Sequence, residues 1–300
     1  NSMTKSNKQQ SLAQRRKIFR QMCEQCDAMI VPGAGNALTA RIIEDTGFDV
    51  IYITGAGIAN TDLGVPDVGL VTLTELASTV SAISQITDKP LIVDIDTGFG
   101  SALNAQRTMR VIERAGAFAV QIEDQVFPKK CGHFAGKAVI PMSEAVSKIK
   151  ALVDAREDAN TLIIARTDAR AIEGFEKAIE RAEAFIEAGA DLTFIEAPQS
   201  EEELRAIASR LSVPQVANMV IGGKTPLTTK SDLQDMGFAL VLYANTPLQA
   251  AMHAMSGVLK ALLDDGDVTR VIDKLATFEE RQRLVSKDEY VAADARYSVK

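Results

Sequence analysis

The chain has 300 residues, 46% hydrophobic and 24% charged, with 5% aromatic and no Trp. These are ordinary globular proportions, which argue against disorder and collagen-like repeats and call for an aliphatic core. Lys+Arg number 33 against 40 Asp+Glu, a net charge of -7, so a nucleic-acid partner is not expected. An anionic substrate stays open, because the charge of a site is local.

From the N-terminus, Asn1-Ser2 ahead of Met3 reads as a cloning remnant and is set aside. The polar, basic stretch 1–16 lacks the apolar core of a signal peptide. No apolar run approaches the roughly 18 residues of a membrane helix. Three cysteines, Cys23, Cys26 and Cys131, cannot all pair, which suits a reducing, cytoplasmic compartment. Cys23-Glu24-Gln25-Cys26 has the C-x-x-C spacing but no second pair and no preceding strand, so neither redox chemistry nor zinc is expected there.

Strand-length apolar runs follow at 29–31, 50–54, 91–95, 117–122, 162–165, 192–195, 215–217 and 239–242. Runs apolar on both faces belong to buried parallel sheets. Helical patterns lie between them at 72–87, 104–114, 143–155, 173–187 and 201–211. Gly47, Gly116, Gly189 and Gly237 each fall between a helical pattern and the next strand, where a left-handed residue ends a helix. Thr72 with Glu75 and Ser200 with Glu203 have capping-box spacing. Eight such units fit an α/β fold, a (β/α)8 TIM barrel. The alternative is an open doubly wound sheet, but 32–36, Pro-Gly-Ala-Gly-Asn, lacks the dinucleotide-binding spacing. The expected organisation is an N-terminal helical segment 1–27, a barrel 28–265 and a C-terminal helix and tail 266–300. The apolar helical stretch 248–263 carries His253, expected to be structural, and the surplus at 268–300 suits association.

Barrel chemistry collects where strands end. The strand ends here carry Thr54-Gly55-Ala56-Gly57, Asp94-Ile95-Asp96, Glu123-Asp124, Arg166-Thr167-Asp168, Glu196, Asn218 and Tyr243-Ala244-Asn245. Asp94 and Asp96 alternate across one residue and point to one side of a strand, with Glu123 on the next strand. Converging carboxylates repel one another unless a cation joins them, and hard oxygen donors favour Mg²⁺ or Mn²⁺. The alternative is that one or two of them cap helices or pair with basic side chains. In the loop 127–133, two Lys precede Cys131, and Gly132 and His133 follow it. That electropositive setting activates a thiol as acid, base or nucleophile. The alternative is a solvated basic loop with an incidental thiol.

Three segments together resemble the isocitrate lyase/phosphoenolpyruvate mutase superfamily: Asp94-Ile95-Asp96-Thr97-Gly98-Phe99-Gly100, Gln121-Ile122-Glu123-Asp124-Gln125 and Lys129-Lys130-Cys131-Gly132-His133. Leu63-Gly64-Val65-Pro66-Asp67, the segment 165–170 and Ala217-Asn218-Met219 extend the match in family order. The resemblance implies a barrel whose final helix is exchanged between subunits of a homotetramer. It implies Mg²⁺ held by Asp94 with Asp67, Asp96 and Glu123. Thr54, Gly55, Ala56, Gly132, Glu196 and Asn218 are implied to bind a small anionic carboxylate, and Cys131, Arg166, His133 and Lys129 to be catalytic. Members doing phosphoryl chemistry carry Asn in place of Cys131, so the small carbon–carbon lyases are the implied branch, with oxaloacetate hydrolysis or decarboxylation as the alternative. Ile221 stands where methylisocitrate lyases carry Glu, and Tyr243-Ala244 where the lyases carry Tyr-Pro; both departures bear on specificity.

Overall fold

A computed structural model describes residues 10–130 and 135–298. Eight parallel strands are β1 (Met29–Ala34), β2 (Ile51–Ile53), β3 (Leu91–Asp94), β4 (Ala119–Glu123), β5 (Leu162–Thr167), β6 (Leu192–Ile195), β7 (Val216–Asn218) and β8 (Leu240–Tyr243). Their order, β6-β5-β4-β3-β2-β1-β8-β7, runs almost round a circle. β1 pairs with both β2 and β8, Ile30 opposite Val241 and Gly33 opposite Tyr52. The last gap, between β6 and β7, is joined by one isolated parallel bridge, Thr193 to Gln215. There the Thr193 hydroxyl donates to Gln215 Oε1 at 3.0 Å and accepts from Gln215 Nε2 at 2.7 Å. The alternation therefore closes into a (β/α)8 barrel.

Strand alternation divides the core. Val31, Tyr52, Ile92, Ala119, Leu162, Ile164, Phe194 and Leu240 fill the barrel interior. Their neighbours Ile51, Ile53, Leu91, Val93, Val120 and Ile163 point outward against helices. The first helix, α1 (Leu12–Glu24), opens on a capping box between Ser11 and Gln14. Its buried face adds Phe19 and Cys23 to the interior cluster, Phe19 meeting Phe118 edge-on at 6.2 Å. Arg16 donates to Ala117 O at 3.1 and 2.8 Å, so α1 closes the end of the barrel where the strands begin.

The barrel helices are α2 (Ala37–Thr46), α3 (Gly55–Ile58), α4 (Leu73–Ser84), α5 (Ala102–Ala115), α6 (Met142–Ala155), α7 (Arg170–Glu173), α8 (Phe175–Glu187), α9 (Glu201–Arg210), α10 (Lys230–Met236) and α11 (Thr246–Asp265). The four junction glycines all take positive φ, between +97° and +123°. The pattern at 173–187 is not one helix: Gly174, at φ +95°, separates α7 from α8. Gly33 answers a closer constraint, since a Cβ there would lie 1.9 Å from Ala244 O on the neighbouring β8 segment.

α11 leans away from the barrel: of its residues only Ala261 is buried, while Met252, Met255, Leu259 and Leu263 are exposed. A 3₁₀ turn (Thr269–Lys274) leads to α12 (Phe278–Leu284) and α13 (Lys287–Tyr297). α12 returns to α2 through the Arg283 pair with Asp45, at 2.8 and 2.7 Å. No helix among the described residues is long and apolar enough to cross a membrane.

Candidate active site

The strand ends open on one cavity of ≈ 200 Å³. Its walls carry Thr54, Ala56, Asp67, Asp94, Glu123, Lys129, Arg166, Glu196 and Asn218. Of the residues expected from the sequence, Gly55 sits beside this wall. Asp96 is tied to it by Lys129, whose ammonium lies 2.7 Å from both Asp67 Oδ1 and Asp96 Oδ1. Cys131, Gly132 and His133 lie outside the described residues. His253 is on the exposed helix α11, away from this wall.

The carboxylates arrive by a different local route from simple alternation. Asp94 ends β3, but Asp96 lies beyond it in a left-handed turn at φ +50°. The turn is held by Asp96 N–H donating to Asp94 Oδ1 at 3.0 Å. Asp and Asn tolerate this conformation better than most residues. Both carboxylates then abut Gly55, where a Cβ would lie 3.1 Å from Asp96 Oδ1 and 3.2 Å from Asp94 Oδ2. The glycine leaves open space above them.

Burial dominates the ionisation of this cluster. It pushes the Asp96 carboxyl up to about 6, opposed by Lys129 and reinforced by Asp94 and Asp67. It drives Glu123 well above the ordinary carboxylate range, against the pull of Arg166 and Lys129. For Lys129, burial favours loss of the proton, but Asp96, Asp94, Glu123 and Asp67 outweigh it and hold the ammonium firmly. Lys129 thus sits as a positive charge among these carboxylates.

Arg166 forms the opposite wall. Its Nε donates to Asp168 Oδ2 and its Nη2 to Asp168 Oδ1, both at 2.9 Å. Glu123 Oε2 lies 3.4 Å from Nη1, and Glu196 Oε2 lies 3.2 Å from Nη2, which it shares with Asp168. Phe194 lies under it, 5.3 Å from ring centre to guanidinium carbon. Burial would weaken this cation, yet Asp168, Glu123 and Glu196 hold its proton far above the usual range. Asn218 Nδ2 donates to Glu196 Oε2 at 3.1 Å. Thr54 accepts from Gly57 N–H and donates to Asn245 Oδ1, each at 3.1 Å, fixing the turn into α3.

The structure adds residues that strand-end reading passes over. Tyr52 lines the cavity floor and donates to Gln121 Oε1 at 2.7 Å. Lys137 pairs with Asp168 at 2.7 Å. Met219, Val220, Ile221 and Leu242 make one side apolar. Tyr52 was hidden in an apolar run, and Lys137 in a loop with no periodicity.

A divalent cation was expected among Asp67, Asp94, Asp96 and Glu123. Among the described residues no group of three or more His, Cys, Asp or Glu converges as a ready-made cage. The Lys129 ammonium pairs with both Asp67 and Asp96. The donor set still fits a hard cation. It is all carboxylate oxygen, Asp94 faces the cavity, and Glu123 Oε1 is buried without a hydrogen-bond partner among the described residues.

A family model described as phosphoenolpyruvate phosphomutase matches residues 19–263. The chain is 46% identical over 283 residues to a 2-methylisocitrate lyase of Aeropyrum pernix, covering 94% of this chain and 91% of that one. It is 42% identical over 270 residues to a 2,3-dimethylmalate lyase of Eubacterium barkeri, covering 90% and 93%. Among solved structures, oxaloacetate acetylhydrolase with the inhibitor 3,3-difluorooxalacetate superposes at TM-score 0.89 and 30% identity, covering 95% and 98%. Phosphonopyruvate hydrolase with oxalate and Mg²⁺ superposes at 0.85 and 28% identity, covering 94% and 99%.

Proposed function

This chain belongs to the phosphoenolpyruvate phosphomutase family, and from that premise we propose that it is a carbon–carbon lyase acting on a 2-hydroxy di- or tricarboxylate of the 2-methylisocitrate or 2,3-dimethylmalate type. The products are a 2-oxo acid and a carboxylic acid. The observation that carries this reading is one cavity that sets a buried guanidinium, Arg166, opposite a carboxylate cluster, Asp67, Asp94 and Glu123. The likeness to lyases with both names supports it.

Asp94, with Asp67, Asp96 and Glu123 around it, would hold Mg²⁺ (Mn²⁺ is the alternative). Bound there, the metal supplies Lewis acidity toward the 2-hydroxyl and its carboxylate. Arg166 binds a substrate carboxylate and stabilises charge as the C–C bond breaks. Thr54, Gly55 and Ala56, at the start of α3, bind a carboxylate through backbone and hydroxyl donors. Glu196 and Asn218 orient the remaining polar groups, a task also assigned to Gly132 and His133. Lys129 balances the aspartates, so an anionic substrate meets less repulsion. The hydroxyl proton passes to solvent water, the C–C electron pair passes to the leaving acid's α-carbon, and the Cys131 thiol donates a proton to that carbon and takes one back from solvent. Hydrogen is conserved once Cys131 is reprotonated.

Incubation with each acid and Mg²⁺, with products identified, tests this. Pyruvate with succinate is expected from 2-methylisocitrate, and pyruvate with propionate from 2,3-dimethylmalate. Oxalate with acetate, or pyruvate with CO₂, from oxaloacetate alone would favour the second reading, which the superposition on oxaloacetate acetylhydrolase supports. Cys131→Ala is expected to lower lyase turnover by about 10²–10⁴-fold; wild-type turnover would remove the thiol from the mechanism. The assembly is read as a homotetramer and its compartment as cytoplasmic, supported by the exposed apolar face of α11 and by the unpaired cysteine count.

A further inference from the structure

The loop between β4 and α6 is stitched together along its two arms. Gln125 bridges Val139 in antiparallel fashion, and Val126 N–H donates to Ala138 O at 2.8 Å. Lys130 Nζ donates to Gly136 O, also at 2.8 Å. These bonds stay within the loop. Lys137, between Gly136 and Ala138, reaches further. Its ammonium lies 2.7 Å from Asp168 Oδ1, with side-chain exposures of 2% and 0%.

Asp168 is the carboxylate that grips Arg166 along its Nε–Nη2 edge. Its own backbone is fixed by the N–H donating to Asp124 Oδ1 at 2.9 Å. Asp124 is in turn tied to Thr167 Oγ1 at 2.7 Å and to Arg181 at 3.3 Å. A bidentate Arg–Asp pair is rigid but close to neutral, which makes it a poor receptor for an anion. Glu123 and Glu196 add further negative charge beside the same guanidinium. The Lys137 ammonium on Asp168 offsets one of those negative charges, and it does so from outside the described lining of the cavity.

We propose that Lys137 is a positioning residue for the anion-binding site: through Asp168 it fixes the Arg166 guanidinium and offsets one of the carboxylate charges around it, so that a substrate carboxylate meets less repulsion. The proposal rests on the reading that Arg166 receives a carboxylate, but not on which bond is cleaved.

The test uses oxalate as the probe, titrated calorimetrically into the Mg²⁺-loaded full chain, beside KM and kcat for the cleaved acid. Lys137→Met is expected to weaken oxalate about tenfold and to raise KM more than it lowers kcat. Lys137→Arg is expected to restore binding to within about threefold of wild type. In an Asp168→Asn background, Lys137→Met is expected to cost less than it does in the wild type, because the carboxylate through which it acts on Arg166 is gone. Should Lys137→Met lose its native circular dichroism, Lys137→Gln is read in its place against Lys137→Arg. Wild-type oxalate affinity in the Lys137 variant, or an undiminished cost in the Asp168→Asn background, would overturn the proposal. If the wild type binds oxalate but cleaves none of the acids, the lyase reading falls while the role of Lys137 is still decided.

Discussion

Arg166 and Lys129 are both buried cations surrounded by carboxylates, and their chemistry differs because of shape. The planar guanidinium is gripped on its Nε–Nη2 edge by Asp168 and leaves Nη1 beside Glu123 in the cavity wall. Arg166→Lys keeps the charge but loses the fork, and a loss of at least about 10²-fold in kcat/KM is expected from steady-state kinetics. Cys23 makes a second prediction. Burial, the leading cause, together with Cys26 pushes its thiol up to about 12. Native protein at pH 8.5 should leave the Cys23 peptide unalkylated by iodoacetamide, as read by mass spectrometry, whereas denatured protein labels it. The thiol's share of stability is present at neutral pH and is lost as pH rises from 9 toward 12, because the unfolded thiol ionises there first. At this scale the sequence was partly legible. Arg166, Glu196 and Asn218 stood out because each ends an apolar run. Lys137 did not, since its partner Asp168 is 31 residues away and only the closed barrel brings them together.

Helices were legible where an apolar stripe met a cap, as in α4 with its Thr72–Glu75 box. They were missed where they are short and small-sided, as in α3, Gly-Ala-Gly-Ile; α10, seven residues with Leu233 alone buried, was signalled only by its closing Gly237. The break between α7 and α8 escaped notice because Gly174 lies inside an otherwise continuous pattern. Strands were legible as apolar runs, but close approach between them was not. Gly33→Ala illustrates this, since the added methyl would lie 1.9 Å from a backbone oxygen of β8's continuation that cannot swing aside. A destabilisation of about 3 kcal/mol or more is expected, seen as a fall of about 6 °C or more in Tm. Gly47→Ala meets no neighbour within 4 Å. Its cost should come from the left-handed backbone alone, about 1 kcal/mol by the same measurement.

The whole molecule leaves one helix face unsatisfied. Met252, Met255, Leu259 and Leu263 form one exposed apolar stripe along α11, the kind of contiguous patch that marks an interaction surface. On the proposed homotetramer, Leu259→Glu with Leu263→Glu is expected to reduce the mass measured by light scattering, while circular dichroism stays that of a barrel. The barrel itself was legible from eight alternating units; the leaning of α11 was not, because an apolar helix reads the same whether it covers its own barrel or another's. The gap between β6 and β7 has a kinetic consequence. Where the other seams have backbone ladders, this one is fastened at its base by Thr193 with Gln215 and at its rim by Glu196 with Asn218. Breathing of the barrel should therefore begin there, and the amides of Val216 and Ala217 should trade deuterium ahead of those in β4 and β5. A ligand held by Glu196 and Asn218 would be gripping the two lips of that seam, and its binding would register as slowed exchange along β7.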